Sequence, residues 1–348
     1  MIEGIHAENV GRFFRKHIDG AQCELAFELL SGGRSNLTYR VRGGGRDWVL
    51  RRPPLGHVLP TAHDMAREYR VLSALAETDV PTPRTYALCE DENVNGAPFY
   101  VMDYCDGVVL DDALPDGFAT THAERRGISL ALIDTLVALH AIDYESVGLG
   151  GFGWPDGYLE RQVRRWSQQW ERSKTDDLPE IEELIRRLRA ALPASPPPTI
   201  VHGDYRLGNM ALDPTHPERV VAIFDWEMAT LGDPLADLGY TLIYWAEADD
   251  PGEPGMASPT ALPGFASRAE LVEAYANRSG RDTAGVDFYR VLALYKLAVI
   301  SEGIYARYLQ GKTLGKGFEG MTRRSGAIAE RAIRIASASS DKRLRGSP

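Results

Sequence analysis

Two carboxylates and one carboxamide in the second half of the chain stand where strands usually deliver side chains into a site. Asp204 follows the apolar run TIV and the residues His202 and Gly203, and Asn209 lies five residues further along. Asp225 comes directly after a second apolar run, VVAIF, 21 residues beyond Asp204. Side chains presented by loops at two strand ends can converge on one point. Their hard oxygen atoms suit Mg²⁺, which usually takes one or two carboxylates together with nucleotide phosphates.

The chemistry that these residues would serve is phosphoryl transfer to a hydroxyl group. That reaction needs one carboxylate free of metal, which orients the hydroxyl and accepts its proton, and a second carboxylate and a carboxamide that hold the metal. The spacing from Asp204 to Asn209 is also that of the protein-kinase catalytic loop, although that loop begins H-R-D rather than H-G-D. The alternative is a cluster of aspartate and asparagine turns with a structural role.

Other motifs lack the context that their chemistry requires. Gly148, Gly150 and Gly153 satisfy G-x-G-x-x-G, but a helical pattern precedes them where a dinucleotide site needs a strand. The G-K-T at residues 311–313 lacks a glycine five positions earlier, where Ala306 stands. Neither H-E-x-x-H, C-x-x-C nor G-x-S-x-G occurs, so a zinc site or a serine hydrolase of that type is not expected.

The first hundred residues indicate a small sheet that carries one helix. RSNLTYRV and DWVLR are strand-like and flank three glycines at 43–45, which predicts a hairpin. Residues 64–76 carry an apolar stripe at helical spacing, and APFYVMDYC predicts a further strand. We therefore expect an N-terminal lobe over residues 1–105.

Helical patterns follow residue 120 and indicate a larger lobe over residues 106–336. The strand-like runs that precede Asp204 and Asp225 lie within it. A loop rich in proline and glycine at residues 249–264 has the length typical of a lid or of a disordered segment. Residues 337–348 are expected to form a disordered tail.

These motifs resemble the aminoglycoside phosphotransferase and choline kinase superfamily, whose fold is similar to that of protein kinases. The likeness covers most of the chain. It implies an α+β, bilobal fold, with ATP and Mg²⁺ as cofactors and a small-molecule hydroxyl group as the acceptor. By the same likeness, Asp204 is the catalytic residue and Asn209 and Asp225 are the magnesium ligands. Asp233 and Asp237 are expected to hold the loop by hydrogen bonds.

The resemblance also places a nucleotide site in the N-terminal half. SGGRSNLTYRV resembles the family's nucleotide-covering hairpin, where a backbone of small residues can approach phosphate closely. The residues implied there are Gly32, Gly33, Ser35 and Asn36. FYVMDYCDG resembles the hinge that hydrogen-bonds adenine, through the backbone of Met102, Asp103 and Tyr104. From the residues alone, the first segment could be an ordinary turn and the second an edge strand.

One departure from the family concerns its phosphate-contacting lysine. The strand before the predicted helix reads VLRRPP, which offers Arg51 or Arg52 and no lysine. Strand alternation turns these two side chains to opposite faces. We expect Arg51 to enter the cleft and to bridge phosphate and Glu68, which matches the helix glutamate of kinases. Arg52 is then expected to be a solvated arginine of little consequence.

Four segments resemble a narrower subgroup. VLRRPPLG, AHDMAREYRVLSAL, VPTPR and GYLERQVRRW are similar to the kinase-like domain fused to some large acyl-CoA dehydrogenases and to its free-standing bacterial relatives. This likeness implies acceptors that are hydroxylated acyl groups, free or as CoA thioesters. Because the chain ends at residue 348, we expect no dehydrogenase domain.

Composition narrows the functional classes. The 39 Lys+Arg against 49 Asp+Glu give a net charge of −10, which argues against a general nucleic-acid binder. Three cysteines and the lack of an apolar run of about 20 residues are typical of a cytoplasmic protein without membrane contact.

The leading hypothesis is therefore an ATP-dependent kinase of a small hydroxyl compound. The alternatives are a nucleotide-binding pseudokinase and an aminoglycoside kinase, since a negative chain attracts polycations. Arg161, Arg164 and Arg165, with Trp166, could instead contact an anionic or CoA-bearing substrate, unless they form a solvated helix face.

Overall fold

Two lobes of different secondary structure make up the molecule. The computed structural model describes residues 2–31, 36–55, 63–250, 258–311 and 321–346. The first lobe holds an antiparallel sheet and the second is mainly helical, which confirms the expected α+β, bilobal fold. Gly32, Gly33 and Ser35 of the expected nucleotide-covering hairpin lie outside the described residues, and so do residues 251–257 of the expected lid or disordered loop.

The described strands and helices follow one another in chain order. The strands are β1 (Ala26–Ser31), β2 (Leu37–Gly43), β3 (Arg46–Arg52), β4 (Thr85–Cys89), β5 (Phe99–Asp103), β6 (Val108–Val109), β7 (Thr199–Val201), β8 (Met210–Leu212), β9 (Val220–Ile223) and β10 (Thr230–Gly232). The helices are α1 (Ala7–His17), α2 (Met65–Leu75), α3 (Glu92–Asn95), α4 (His122–Ala141), α5 (Tyr158–Ser173), α6 (Pro179–Ala190), α7 (Leu235–Tyr244), α8 (Arg268–Ser279), α9 (Val286–Leu309), α10 (Met321–Ala338) and α11 (Lys342–Arg345).

The N-terminal sheet has the strand order β1-β2-β3-β5-β4, with every pair antiparallel. The predicted hairpin is present as β2 and β3. α2 lies on one face of the sheet, where Tyr69 packs edge-on against Tyr100. α1 lies on the other face, where Phe14 packs edge-on against Trp48. The sheet is therefore covered on both sides.

Two expectations for this lobe are wrong. Only one helix was expected, but the short α3 and the longer α1 are present as well. α1 forms because Val10 and Phe14 lie one turn apart and both are buried against the sheet. The edge-strand alternative for β5 is also wrong, because β5 pairs with β3 on one side and with β4 on the other.

Arg52 is buried, which corrects the expectation of a solvated arginine. Only 5% of the residue is exposed. Its Nη1 donates to the carbonyl oxygens of Gly4 at 2.6 Å and Asn95 at 2.9 Å. These acceptors come from distant parts of the sequence, so the strand pattern around Arg52 gives no sign of them. The guanidinium ties the segment before α1 to the end of α3.

Arg52→Ala is expected to destabilise the fold rather than to be neutral. Hydrogen bonds to a charged group contribute about 1.5–3 kcal/mol, and two backbone carbonyls would lose their donor. We expect the melting temperature to fall by several degrees in differential scanning calorimetry. Arg15→Ala, which removes an exposed arginine of the same lobe, should leave the melting temperature within about 1 °C, because isolated surface substitutions cost little. Equal melting temperatures for the two variants would contradict a structural role for Arg52.

The C-terminal lobe is built around α9, which packs against α5, α7 and α10. Neither α7 nor α10 was predicted. The expected disordered tail is wrong for residues 337–346, because α10 extends to Ala338 and α11 follows it. The side chain of Asp341 caps α11, and Leu344 is fully buried beside α6. Among the helices of the described residues, none has the apolar length that a bilayer crossing requires.

Short strands in this lobe position the two predicted acidic loops. β7 pairs with β10, and β8 lies between β6 and β9. The loop that carries Asp204 follows β7, and Asp225 lies two residues beyond β9. The backbone N–H of Phe224 donates to the carbonyl oxygen of Asn209 at 2.8 Å. This bond joins the two loops next to the residues expected to hold the metal.

Candidate active site

A buried aspartate holds the start of the loop that carries Asp204. Asp237, on α7, accepts the backbone N–H of His202 and the backbone N–H of Gly203, each at 2.7 Å. Burial opposes ionisation of Asp237, but His140 and these backbone donors lower its pKa overall. Asp237 therefore keeps its charge and fixes the backbone just ahead of Asp204, which agrees with the holding role expected from the sequence.

Gly203 allows this loop to approach the loop that follows Asp225. Its φ is +85°, and a Cβ atom there would lie 2.8 Å from the carbonyl oxygen of Met228. A second contact joins the loops nearby, because Nε2 of His202 lies 2.9 Å from the carbonyl oxygen of Phe224. Only glycine satisfies both the backbone conformation and the close approach.

One carboxylate oxygen of Asp204 accepts a hydrogen bond from within the protein, and the other accepts none from the described residues. The Asn209 amide nitrogen donates to Oδ2 and to the backbone carbonyl of Asp204, both at 2.8 Å. Oδ1 is buried and has no donor within hydrogen-bond geometry among the described residues, although Nε of Arg206 lies 3.6 Å away and the Tyr240 hydroxyl group lies near the carboxylate. Leaving a buried acceptor unsatisfied costs about 1–3 kcal/mol. A hydroxyl group that donates to Oδ1 would recover that cost.

Arg51 faces the cleft and joins the two lobes. Its Nε donates to Oε2 of Glu68 at 3.1 Å, and its Nη2 donates to Oδ1 of Asp225 at 2.5 Å. Burial opposes the charge of Arg51, but the carboxylates of Glu68 and Asp225 raise its pKa overall. The sequence left open whether Arg51 or Arg52 enters the cleft, and the geometry assigns that place to Arg51.

Asp225 and Asn209 fit a magnesium site of the expected kind. Asp225 has left-handed backbone angles, φ +63° and ψ +59°, which few residues other than glycine adopt. Both contacts between Asn209 and Asp204 use the amide nitrogen, so a metal would take the amide oxygen. The described residues contain no cluster of three or more His, Cys, Asp or Glu that could hold a metal. One carboxylate and one carboxamide, completed by phosphates, match the sparse protein ligation of Mg²⁺.

Glu227 is an acidic group of the cleft that the sequence analysis missed. Its Oε2 accepts a hydrogen bond from the Asn36 amide nitrogen at 3.1 Å. Burial and the neighbouring charge of Asp225 raise the pKa of Glu227 to about 7. Asn36, which was expected to lie beside phosphates, is thus tied to the loop that carries Asp225. The sequence signal was present, since Glu227 stands two residues after Asp225.

The expected adenine-binding segment begins inside the sheet. Met102 lies opposite Val49 on one side and Thr85 on the other. The backbone N–H of Asp103 donates to the carbonyl oxygen of Arg84 at 2.8 Å. Tyr104 is the first residue beyond β5, so its backbone is the best placed of the three for adenine, and the role of all three stays a prediction.

A cavity of about 890 Å³ opens beside the catalytic loop. Gly203 and Glu227 are part of its lining, which places it next to Asp204 and Asp225. The cationic side chains in the lining outnumber the two carboxylates, Asp64 and Glu227. These cations are Arg67, Arg161, Arg164, Arg165, Lys296 and Arg307. The cavity is therefore basic, although the chain as a whole carries −10.

Neighbouring acids act on these cations at longer range than an ion pair: the charge of Asp64 acts on Arg67, and the charges of Asp204 and Asp237 act on Lys296. Within the described part of the chain, the ion pairs found include none of the six. Arg67 donates instead to the backbone carbonyls of Phe152 and Ala229, and Arg161 donates to those of Trp154 and Asp156. Charge of this kind favours an anionic occupant of the cavity.

A comparison with known protein families decides the family. The model of the phosphotransferase enzyme family matches residues 26–289, most of the chain. The chain belongs to this phosphotransferase family. Among curated relatives, acyl-CoA dehydrogenase family member 10 of Mus musculus is 35% identical over 304 residues, and acyl-CoA dehydrogenase family member 11 of Gallus gallus is 36% identical over 318 residues. These alignments cover 86% and 89% of the chain but 28% and 40% of the two relatives.

Solved structures of other phosphotransferases share the fold. A candidate aminoglycoside phosphotransferase from Ralstonia eutropha JMP134 is 34% identical, has a TM-score of 0.81 and aligns over 96% of this chain and 99% of its own. A variant of aminoglycoside phosphotransferase APH(4)-Ia, in a ternary complex with AMP-PNP and hygromycin B, is 15% identical with a TM-score of 0.62, covering 95% of this chain and all of that one. The second likeness shows the kinase-like fold alone. The resemblance to the domain found in large acyl-CoA dehydrogenases is confirmed.

Proposed function

We propose that this phosphotransferase transfers the γ-phosphoryl group of ATP to a hydroxyl group of a small anionic molecule, with Mg²⁺ as cofactor. The favoured acceptor is a hydroxyacyl group, free or as its CoA thioester. The observation that carries the proposal is the buried, unpartnered Oδ1 of Asp204, beside Asn209 and within the loop pair that carries Asp225. The complex of a fold relative with AMP-PNP supports ATP as the donor. A cytoplasmic location stays a prediction.

In this mechanism Asp204 acts on the acceptor. The hydroxyl group donates to Oδ1 of Asp204 and is thereby oriented toward the γ-phosphorus. As the new O–P bond forms and the bond to the ADP oxygen breaks, the hydroxyl proton moves to Asp204. The Asn209 amide holds the other carboxylate oxygen, so Oδ1 keeps its direction. Mg²⁺, held by Asp225 and Asn209 when bound, would neutralise charge on the phosphates.

The basic cavity is the reason for preferring an anionic acceptor over an aminoglycoside. Aminoglycosides are polycations, and the six cations beside the catalytic loop would repel them. Glu227 offsets only part of one charge at neutral pH, because a carboxyl group whose pKa is raised to about 7 is about half ionised there. A CoA thioester brings several phosphate charges, which arginine side chains bind well. The similarity to domains of acyl-CoA dehydrogenase family members supports the same class.

A screen of acceptors tests the proposal directly. The protein is incubated with ATP and Mg²⁺ and with hydroxyacyl-CoAs, free hydroxy acids, neutral diols or aminoglycosides, while ADP release and product mass are measured. We expect ADP and a product heavier by one phosphoryl group with hydroxyacyl compounds only. ADP without any phosphorylated product would favour the pseudokinase alternative, and phosphorylated aminoglycosides would overturn the anionic acceptor.

Substitutions of Arg51 test the nucleotide site within this function. Arg51→Ala should raise the KM for ATP about tenfold or more and lower turnover. The ATP phosphates would lose the cation that Glu68 and Asp225 hold in the cleft. Arg51→Lys should keep partial activity, since one ammonium group cannot reproduce the fork that contacts two carboxylates. Steady-state kinetics at varied ATP measures both, with Arg84→Lys on the exposed surface as the control. If neither Arg51 variant differs from wild type, phosphate charge is neutralised by the metal and the backbone alone.

A further inference from the structure

Lys296 is one of the cations that line the basic cavity. It lies on α9, and its Nζ donates to the carbonyl oxygen of Gly203 at 3.0 Å, one residue before Asp204. It lines both the large cavity and a smaller recess of about 40 Å³, whereas the arginines of α5 line the large cavity alone. Lys296 therefore contacts the backbone next to Asp204 directly.

The ammonium group of Lys296 has three N–H groups, and the described residues around it supply one strong hydrogen-bond acceptor. The carbonyl of Gly203 is the hydrogen-bond partner found among the described residues. The ring centroids of Tyr240 and Trp166 lie 5.1 Å and 5.8 Å from Nζ, and such contacts only partly replace water around an ammonium group. Burial lowers the pKa of Lys296, although the charges of Asp204 and Asp237 oppose this. Burying a cation is costly without an anionic or hydrogen-bonding partner.

The smaller recess behind Lys296 is mostly apolar. Its lining includes Tyr289, Leu292 and Ala293. Gly203, the residue before Asp204, lines this recess together with Lys296, so an acceptor beside Gly203 has both a hydrocarbon surface and the ammonium group of Lys296 close to it. A hydroxyl compound with a polar oxygen a few bonds from its hydroxyl group can use both surfaces.

We propose that Lys296 is the residue that sets the charge selectivity of the acceptor site. Its ammonium group donates to an anionic or carbonyl oxygen close to the reacting hydroxyl group and repels acceptors with a cation at that place. The inference rests on the proposed function, since it assumes that a hydroxyl compound occupies this cavity. It goes beyond that function by assigning the choice between anionic and cationic acceptors to one side chain.

Three four-carbon alcohols that differ in one group provide the test. 3-Hydroxybutyrate, 1,3-butanediol and 4-amino-2-butanol carry a carboxylate, a hydroxyl and an ammonium group at the same distance from the secondary hydroxyl. Their affinities for the protein with Mg²⁺ and AMP-PNP are measured by isothermal titration calorimetry for wild type, Lys296→Met and Lys296→Arg. Lys174→Met, which removes an exposed lysine paired with Glu171, is the matched control.

The expected result is a change in preference rather than a uniform loss. Wild type and Lys174→Met should bind 3-hydroxybutyrate more tightly than 4-amino-2-butanol. Lys296→Met should reduce that preference about 10- to 100-fold, as for loss of one charge-assisted hydrogen bond. Lys296→Arg should restore most of the preference because it keeps the charge.

Other outcomes separate this inference from the proposed function. An equal loss of affinity for all three alcohols in Lys296→Met would mean that Lys296 only supports the Gly203 backbone, and the inference would be wrong. A wild-type protein that shows no charge preference would also overturn it. If wild type binds with the expected selectivity but phosphorylates no hydroxyacyl compound, the proposed acceptor fails while the role of Lys296 stands.

Discussion

Asp204→Asn is expected to lower turnover by more than about 10²- to 10⁴-fold while changing nucleotide affinity no more than a few-fold. That range is typical for removal of a general base, and Asp204 also positions the acceptor, which adds to the loss. Asparagine keeps an oxygen that can accept from the Asn209 amide, so the loop should keep its shape. Asp204→Ala should be at least as inactive.

Turnover is measured with the acceptor found in the screen, and nucleotide affinity by calorimetry with AMP-PNP and Mg²⁺. Asp116→Asn, which alters an exposed carboxylate, serves as the control and should retain wild-type turnover. Retention of more than about a tenth of the activity by Asp204→Ala would remove Asp204 from the catalytic role. A large loss of nucleotide affinity would instead place Asp204 in the nucleotide or metal site.

The part of the site that was predictable from the sequence is the part set by short-range spacing. Asp204 and Asn209 belong to one loop, and their mutual hydrogen bonds need only five residues of chain. Strand alternation predicted that only one of Arg51 and Arg52 enters the cleft, since β3 is regular and its pairing with β2 is unbroken, and the preference for Arg51 was left open. The position of Asp225 in the cleft was predicted from the apolar run before it. A buried strand ends where the chain reaches the cleft, and Asp225 is the polar residue at that end.

What escaped prediction depends on contacts between distant segments. Arg52 is buried by Gly4 and Asn95, more than forty residues away on either side. Lys296 reaches Gly203 across 93 residues of sequence, and in the sequence it is one cation in an apolar helical pattern. Only the packing of α9 beside the catalytic loop turns it toward the site. Composition could not decide the charge of the acceptor, since the net charge of the chain has the opposite sign to that of the cavity.

The second large effect is expected for Asp225→Asn, which should weaken the binding of Mg²⁺ and ATP together. The substitution removes one negative charge from the metal site and leaves a carboxamide oxygen, a weaker ligand for a hard cation. Asparagine is the informative replacement because it tolerates the left-handed backbone that Asp225 adopts. Alanine would add backbone strain to the loss of a ligand.

Thermal-shift titrations with ATP, in the presence and absence of Mg²⁺, separate the metal effect from other effects. At a ligand concentration of about 100 times Kd, binding stabilises the folded state by about 2.7 kcal/mol. A Kd raised tenfold or more by Asp225→Asn should therefore remove about half of that stabilisation or more when Mg²⁺ is present. Without Mg²⁺, ATP should stabilise wild type and Asp225→Asn to the same extent. Asp116→Asn should match wild type both with and without Mg²⁺.

The ion pair between Asp225 and Arg51 makes this comparison necessary. Arg51 Nη2 lies 2.5 Å from Asp225 Oδ1. The same carboxylate is expected to bind the metal, so Mg²⁺ and Arg51 would both interact with the negative charge of Asp225. Asp225→Asn weakens both interactions, and the loss of the ion pair alone would change the stability of the nucleotide-free protein without any dependence on Mg²⁺. An ATP-induced thermal shift that is smaller in Asp225→Asn than in wild type only when Mg²⁺ is present therefore identifies Asp225 as a metal ligand. An unchanged shift in the presence of Mg²⁺ would show that the carboxylate serves Arg51 alone.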